Sequence, residues 1–527
     1  MSPFNQPIPH ANRDLWQSDL PLQEAAATAQ ADSPLLARHG ETLGKAEWAE
    51  KARAANRNPP ELRVYDRGGD RLDRVEFHPA YHDFLRFGMA AGYAALPWQS
   101  ANGHATHAAM VYLHAQIEPA TCCPMTMTYA AYPALRAAPS LHADWGPRIT
   151  SRHYDPTFCP AAQKSGAMIG MAMTERQGGS DLRANLTKAT RTGDSYRLDG
   201  HKWFCSAPMS DAFLTLAQAP DGLTCFLVPR WRGDGTVNGI HLLRLKDKLG
   251  NRANASAEIE YHDAEAQRVG DEGQGVRAII QMVHHTRLDT AIAPAGLMRA
   301  ALAEAVWWCA GRTAFGKTLI DQPLMRAVLA DLALDAEGAL ALAMRVARAF
   351  DSPSVPDRAF ARIAVALAKF LNNKLCPPFV AEAMEVLGGM GYTDETPMPM
   401  LYREAPLNGI WEGSGNVICL DVLRSLGQPE TAAALAQALD AARGADRGYD
   451  TALNDYRARW PKPPAEAEGR WFAERSAQLL TAATLLQTAP AAVSDGYVAT
   501  RLGGQRGHVA GSVTGLDTEA LIARILP

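Results

Sequence analysis

A stretch from about residue 166 to 272 breaks the helical texture of this 527-residue chain, and it limits the fold more than any other feature. Before it, Ala-rich segments such as Phe84–Leu96 carry helical spacing and few β-branched residues. Within it, β-prone runs occur at 167–173, 212–216, 223–228 and 257–261. Turn signals at Gly193-Asp194-Ser195 and Gly233-Asp234-Gly235 lie between them. After it, helical patterns return over 274–312, 323–351, 357–390 and 409–426. Pro294 should kink or break the first of these, and Pro323 suits the first turn of the second. The order predicts a mainly α protein with a central β-domain. Expected boundaries are an N-terminal arm over 1–40, a helical N-domain over 41–165, the β-domain over 166–272, a helical bundle over 273–430, and a further helical domain over 431–527. Pro461-Lys462-Pro463-Pro464 and Gly503–Gly507 interrupt that last segment. The prolines in Met1–His10 suggest an extended arm, either a disordered tail or one that docks through Phe4 and Ile8.

Charge and composition exclude several classes. The net charge of −4 gives no overall basic bias toward nucleic acid or acidic membrane. No apolar run is long enough for a membrane span, and the N-terminus lacks a charged-then-apolar leader pattern. The eight cysteines form no Cys-x-x-Cys pair, which suits a reducing cytoplasm and predicts no metal site.

Two motifs carry chemistry. Thr174-Glu175-Arg176-Gln177-Gly178-Gly179-Ser180-Asp181 follows the apolar run Ala167–Met173. Its small residues let backbone approach a bulky anion, and its hydroxyls and N–H groups can hold a pyrophosphate. The same Gly-Gly-Ser is also ordinary turn chemistry. Far downstream, Trp411-Glu412-Gly413-Ser414-Gly415-Asn416 sets a carboxylate ahead of a second glycine-serine turn. Between them, Gly200–Ala207 reads either as a functional strand or as a hairpin whose Trp203 and Phe204 are core. Arg312–Lys317 also reads as a helix end closed by Gly316 with basic residues in its last turn.

Taken together, these segments resemble the acyl-CoA dehydrogenase family over roughly 80–425, and most of all its AidB-like branch. Phe4-Asn5-Gln6-Pro7-Ile8-Pro9, Leu245–Arg252 and Leu401-Tyr402-Arg403-Glu404 extend the match to that branch. The resemblance implies a helical N-domain, a β-barrel-like middle domain and a C-terminal bundle, with FAD held between the last two. It implies FAD contacts at Met171, Met173, Thr174, Gln177, Gly179 and Ser180. Phe204 falls where the family packs an aromatic near the flavin ring, and Ser206 where a hydroxyl faces flavin N5; Cys205 and Ala207 flank them. Arg312, Phe315 and Gln322 match the segment that reaches the FAD of a neighbouring subunit. Glu385, Gly388 and Gly389 match the turn near the adenine half, with Glu385 where many members have Gln. Trp411, Gly413, Ser414 and Asn416 complete the flavin set.

Glu412 is implied as the catalytic base. Some members place the base on the earlier helix, just before an Arg, but here that position is Thr286, ahead of Arg287. The alternative is a buried Glu412 held by Arg287 or Arg403. The family's acyl pocket would be lined in part by Cys123–Thr128. The implied partners are an acyl-CoA thioester, three further copies in a homotetramer, and, for the branch, double-stranded DNA in the response to alkylation. Arg424 and Arg501 fall at the branch's DNA-contact positions. Charge alone does not favour this, since ten basic residues face eleven acidic ones between 425 and 527. The competing reading is a metabolic dehydrogenase of a short or branched acyl-CoA with no DNA role.

Overall fold

The computed structural model describes residues 4–9 and 11–525; Met1–Pro3 and His10 of the expected arm lie outside the described residues. The N-terminal third holds α1 (Leu20–Thr28), α2 (Ser33–Leu43), α3 (Ala46–Arg57), the hairpin β1 (Glu61–Tyr65) and β2 (Arg71–Glu76), α4 (Pro79–Ala91), α5 (Leu96–Gln99), α6 (Gly103–Ala115), α7 (Cys122–Leu135) and α8 (Pro139–Ile149). The helical stretch expected across 84–96 is cut after Ala91, where Gly92 caps α4 in the left-handed region. Seven strands follow: β3 (Ile169–Ala172), β4 (Lys188–Thr192), β5 (Ser195–Ser206), β6 (Ala212–Ala219), β7 (Gly222–Pro229), β8 (Ile240–Leu245) and β9 (Ser256–Val269).

The long helices are α9 (Gly275–Gly311), α10 (Pro323–Asp351) and α11 (Val355–Val386), with the small hairpin β10 (Thr313–Ala314) and β11 (Lys317–Thr318) after α9. The chain ends with α12 (Met398–Glu404), α13 (Gly415–Leu426), α14 (Pro429–Asp440), α15 (Arg447–Arg459), α16 (Gly469–Thr488), α17 (Ala491–Tyr497) and α18 (Thr518–Ala523). Pro323 occupies the first turn of α10. None of the described helices is long and apolar enough to cross a membrane.

Packing divides the chain into two compact units, one of residues 1–49, 100–117 and 287–527, the other of 50–99 and 118–286. The grouping cuts across the sequential boundaries, because α6 packs with α2 and α10 and so joins the C-terminal bundle. Residues 431–527 join the same unit, with α14 and α16 on α11 and α18 on α10.

In the second unit the seven-stranded sheet runs β3-β6-β4-β5-β9-β7, with β8 on β9. A further β6–β7 pairing closes β6, β4, β5, β9 and β7 into a ring, the expected barrel-like arrangement. Leu198, Cys205, Phe213, Phe226, Ile259 and Tyr261 fill it. A buried ion pair lies beside this core: Lys202 Nζ donates to Glu175 Oε1 at 2.8 Å and to the Leu216 carbonyl at 2.7 Å. Burial pushes the Lys202 ammonium down to about 8. Burial would push the Glu175 carboxyl up, but Lys202 and the hydrogen bonds it accepts hold it at about 2.

Prolines inside helices leave carbonyls without their usual donors. In α7, Pro133 leaves the Tyr129 carbonyl, which accepts from Trp98 Nε1 at 3.2 Å. In the first unit, Pro294 does not break α9. Asn373 Nδ2 donates to the Thr290 carbonyl at 2.8 Å and Asn372 Nδ2 to the Ala291 carbonyl at 2.8 Å. The proline site is thus stitched to α11.

Replacing Lys202 with Met should strand a buried carboxylate and cost about 3–5 kcal/mol of stability. Denaturant unfolding of both proteins checks this, and a loss below about 1 kcal/mol would mean the pair is dispensable. Because Glu175 is held below its unfolded value, its contribution is full above the ordinary carboxylate range and fades as pH falls toward 2.

Candidate active site

In the second unit, Glu175 organises the loop that follows β3. Its carboxylate accepts from Leu186 N at 2.6 Å, Thr187 N at 3.1 Å and Gln177 Nε2 at 2.7 Å. Gln177, expected as a flavin contact, therefore spends its amide on this loop. Trp203 N donates to the Thr174 carbonyl at 2.7 Å, so the loop and the end of β5 are adjacent. Thr174 arches over Gly179, where a Cβ would meet the Thr174 hydroxyl at 2.4 Å. Only glycine leaves that space, and the result is a small-residue cradle with Ser180 exposed at its rim.

The pairing of β5 with β9 shifts register between Lys202 and Cys205. Such a bulge re-aims side chains. Phe204 is 50% exposed, while Cys205 points into the barrel core. Burial pushes the Cys205 thiol up to about 12. The Cys205 side chain is thus part of the core, so only its backbone is available to a cofactor. Ser206 is half-buried with Met171, Met173 and Thr174, and Ala207 is buried in the left-handed region. Lys246 Nζ lies 3.6 Å from the Trp203 ring centroid and 4.7 Å from that of Phe204. A cavity of about 450 Å³ in this unit is bordered by Tyr81, His82, Tyr154, Met168, Pro124 and Ala207. Of Cys123–Thr128, only Pro124 lines it.

In the first unit, Phe315 stands at the tip of the β10–β11 hairpin, 99% exposed and with φ +51°. The hairpin base is tied down. Gln322 Nε2 donates to the Ala314 carbonyl at 2.8 Å, and Arg312 Nη1 to the Asn5 carbonyl at 2.9 Å. Asn5 Nδ2 donates back to the Thr313 carbonyl at 2.8 Å, so the arm docks here, with Phe4 and Ile8 left exposed. Gly388 and Gly389 are open and Glu385 is exposed.

The base motif is a turn, not the start of a helix. Glu412 has φ +59° and Gly413 φ +104°, so α13 begins at Gly415 instead of near 409. Arg287 Nε donates to the Glu412 main-chain carbonyl at 3.1 Å, and Lys369 Nζ to the Gly413 carbonyl at 2.9 Å. Asp421 accepts from Arg287 Nη1 at 2.6 Å and from Arg362 Nη2 at 2.7 Å. Asp421 is thereby held below the ordinary carboxylate range: burial opposes this, and the two guanidiniums outweigh it. Arg287 therefore grips the backbone of the motif, while Arg403 pairs with Asp394 at 3.0 Å. Thr286 turns its hydroxyl to the Val283 carbonyl at 3.1 Å. Trp411 Nε1 donates to Asn408 at 2.9 Å, and Asn416 accepts from Arg470 at 2.9 Å. Ser414 is exposed at the N-cap of α13.

The two arginines expected at DNA differ. Arg424 is exposed, with Asp421 at 3.5 Å. Arg501 is buried: it pairs with Asp331 at 2.7 Å and Asp335 at 2.9 Å, and is not presented to an external phosphate. Two aspartates one helical turn apart on α10 draw it inward, an arrangement that sequence separation conceals. The sequence named Arg287 as a partner for Glu412 but not its hold on the main chain, and it did not single out Lys202 or Lys369. Their common signal is a cation inside an apolar helix or strand.

Three family models match the chain: the adaptive response protein AidB N-terminal domain over 5–156, and the acyl-CoA dehydrogenase middle and C-terminal domains over 170–264 and 273–427. The putative acyl-CoA dehydrogenase AidB of Escherichia coli is 48% identical over 476 residues, covering 89% of this chain and 88% of that protein. Acyl-CoA dehydrogenase family member 11 of Caenorhabditis elegans is 31% identical, covering 74% of this chain and 66% of that protein. The crystal structure of Caenorhabditis elegans ACDH-11 in complex with C11-CoA superposes with a TM-score of 0.83 at 25% identity, covering 100% of this chain and 93% of that one. On these matches, the chain belongs to the AidB-like branch of the acyl-CoA dehydrogenase family and is an FAD-dependent oxidoreductase.

Proposed function

We propose that this protein dehydrogenates an acyl-CoA thioester with Glu412 as the base, and that it also associates with double-stranded DNA in the response to alkylation damage. The observation that carries the first part is the Glu412 turn. Arg287 holds the Glu412 main-chain carbonyl, which fixes the backbone that carries the half-buried carboxylate. A base in such a setting can take the α-proton of a thioester. The Thr174–Gly179 cradle and the outward Phe204–Ser206 edge fit the pyrophosphate and ring of FAD, with Thr174, Ser180, Phe204 and Ser206 as the residues that would hold it. When bound, FAD supplies the hydride acceptor.

The DNA role has a different basis. It is supported by the adaptive-response description of the matching N-terminal family model, by likeness to AidB, and by the exposure of Arg424. The acid–base balance of 425–527 and the burial of Arg501 favour the second reading, a metabolic dehydrogenase with no DNA partner. A homotetramer is also proposed, on the exposed apolar side chains Phe315, Leu324 and Tyr392 of the first unit, which ask for cover.

The purified protein should carry FAD. Glu412→Gln should retain it while slowing flavin reduction by butyryl-CoA about 10²–10⁴-fold. Bleaching at the wild-type rate would place the base elsewhere.

Phe315→Asp should lower the molar mass measured by light scattering and speed FAD loss on dilution. An unchanged mass and unchanged FAD retention would remove this hairpin from the assembly reading.

Duplex DNA binding should be independent of sequence and fall steeply with salt, and Arg424→Ala should reduce the salt slope by about one unit. Arg501→Ala should instead lower stability, since it strips a buried pair of carboxylates of a partner. Absence of any complex in a low-salt gel shift would leave the metabolic reading.

A further inference from the structure

Glu412 is held in a conformation that a side-chain-bearing residue rarely adopts. A left-handed backbone costs a non-glycine residue about 1–2 kcal/mol, and it persists only where its surroundings over-determine it. The two cations that grip this turn are not equivalent. Arg287, from α9, is paired with Asp421 at 2.6 Å, and Asp421 is shared with Arg362. Lys369, from α11, donates to two main-chain carbonyls, Gly413 and Asn408, each at 2.9 Å. It is 1% exposed. Its ammonium is thus sunk into a helical bundle and aimed at the residue that follows Glu412.

We propose that Lys369 is a positioning residue for Glu412: its ammonium fixes the left-handed turn through the Gly413 carbonyl, and its charge holds Glu412 as the carboxylate. The proposal rests on the reading of Glu412 as base. Lys369 and Glu412 are electrostatically coupled. Burial drives Lys369 down to about 7, and Glu412 pulls it back up. Coupling is reciprocal, so a protonated Lys369 must favour the ionised Glu412 by the same amount.

The cations neighbouring Lys369 work the opposite way. Arg287 from α9 and Lys374, one turn and a half along α11, both disfavour its proton. Asp421 from α13 offsets Arg287 and Arg362, and Arg470 from α16 is engaged with Asn416. Glu412 is the group that favours the proton on Lys369. Burial and the neighbouring cations thus work against the Lys369 proton, and Glu412 works for it. Protonated, it keeps the base ionised at lower pH. Neutral, it leaves Glu412 a stronger base.

Asn373, one turn beyond Lys369 on α11, bonds both the Thr290 carbonyl at the Pro294 site and the Lys369 carbonyl, each at 2.8 Å. The helix segment that carries the lysine is thereby pinned to α9, which carries Arg287. The two grips on the turn cannot drift apart independently.

The test follows the oxidised flavin spectrum of the holoenzyme through a pH titration, alongside flavin reduction by butyryl-CoA. Wild-type protein should show an inflection that is missing in Glu412→Gln. Lys369→Met should move that inflection about 1 pH unit higher. Lys369→Gln, which keeps a hydrogen-bond donor for the carbonyls, should move it in the same direction and is the variant to read if Met does not fold. Lys369→Arg, keeping the charge, should leave it near the wild-type position. An inflection that stays in place in the folded neutral variants, or a wild-type spectrum with no Glu412-dependent inflection, overturns the inference. Full flavin reduction by Glu412→Gln would sink the base reading itself, a result separate from an unmoved inflection.

Discussion

A single left-handed turn, Glu412-Gly413, sets the requirements for much of the helical unit. Its carbonyls point into the protein and need donors, because an unpaired buried carbonyl is costly. The donors come from two long helices, Arg287 on α9 and Lys369 on α11. Each cation then has its own demands. Arg287 draws Asp421 from α13, which also holds Arg362. The register of α9 on α11 is held by Asn372 and Asn373, which satisfy carbonyls at the Pro294 site. A helix-interior proline, a buried lysine and a strained turn are thus one connected arrangement.

The β-domain solves a related problem with different chemistry. There the buried cation, Lys202, faces a carboxylate directly, and Glu175 accepts four further donors from its own loop. The pair serves a loop whose apex must be built of small residues. A loop of glycines has little intrinsic reason to hold one shape. Anchoring it through Glu175 to the barrel wall gives a cradle with a defined form while its outer surface stays open.

The C-terminal segment is bound into the helical unit by charge as well as by apolar contact. Arg501 and Arg506 share Asp331 and Asp335, and Arg524 bridges Glu24 and Glu337. These ion pairs consume basic side chains that a linear reading would count as available to a polyanion. What remains exposed for such a partner is a smaller set, with Arg424 the clearest member.

The sequence by itself determined the family, the order of helical and β segments, and the positions of the Thr174–Ser180 cradle and of Glu412. These are local properties: side-chain periodicity, glycine placement and short motifs report directly on backbone form. Phe204 and Ser206 were legible only through the resemblance of Gly200–Ala207 to the family's segment. Other features were decided only in three dimensions. The joining of α6 to the C-terminal bundle, the inward turn of Arg501, and the grip of Arg287 and Lys369 on main-chain carbonyls depend on residues far apart in the chain. A buried cation finds whichever acceptor the packing brings to it, and no local pattern encodes that partner.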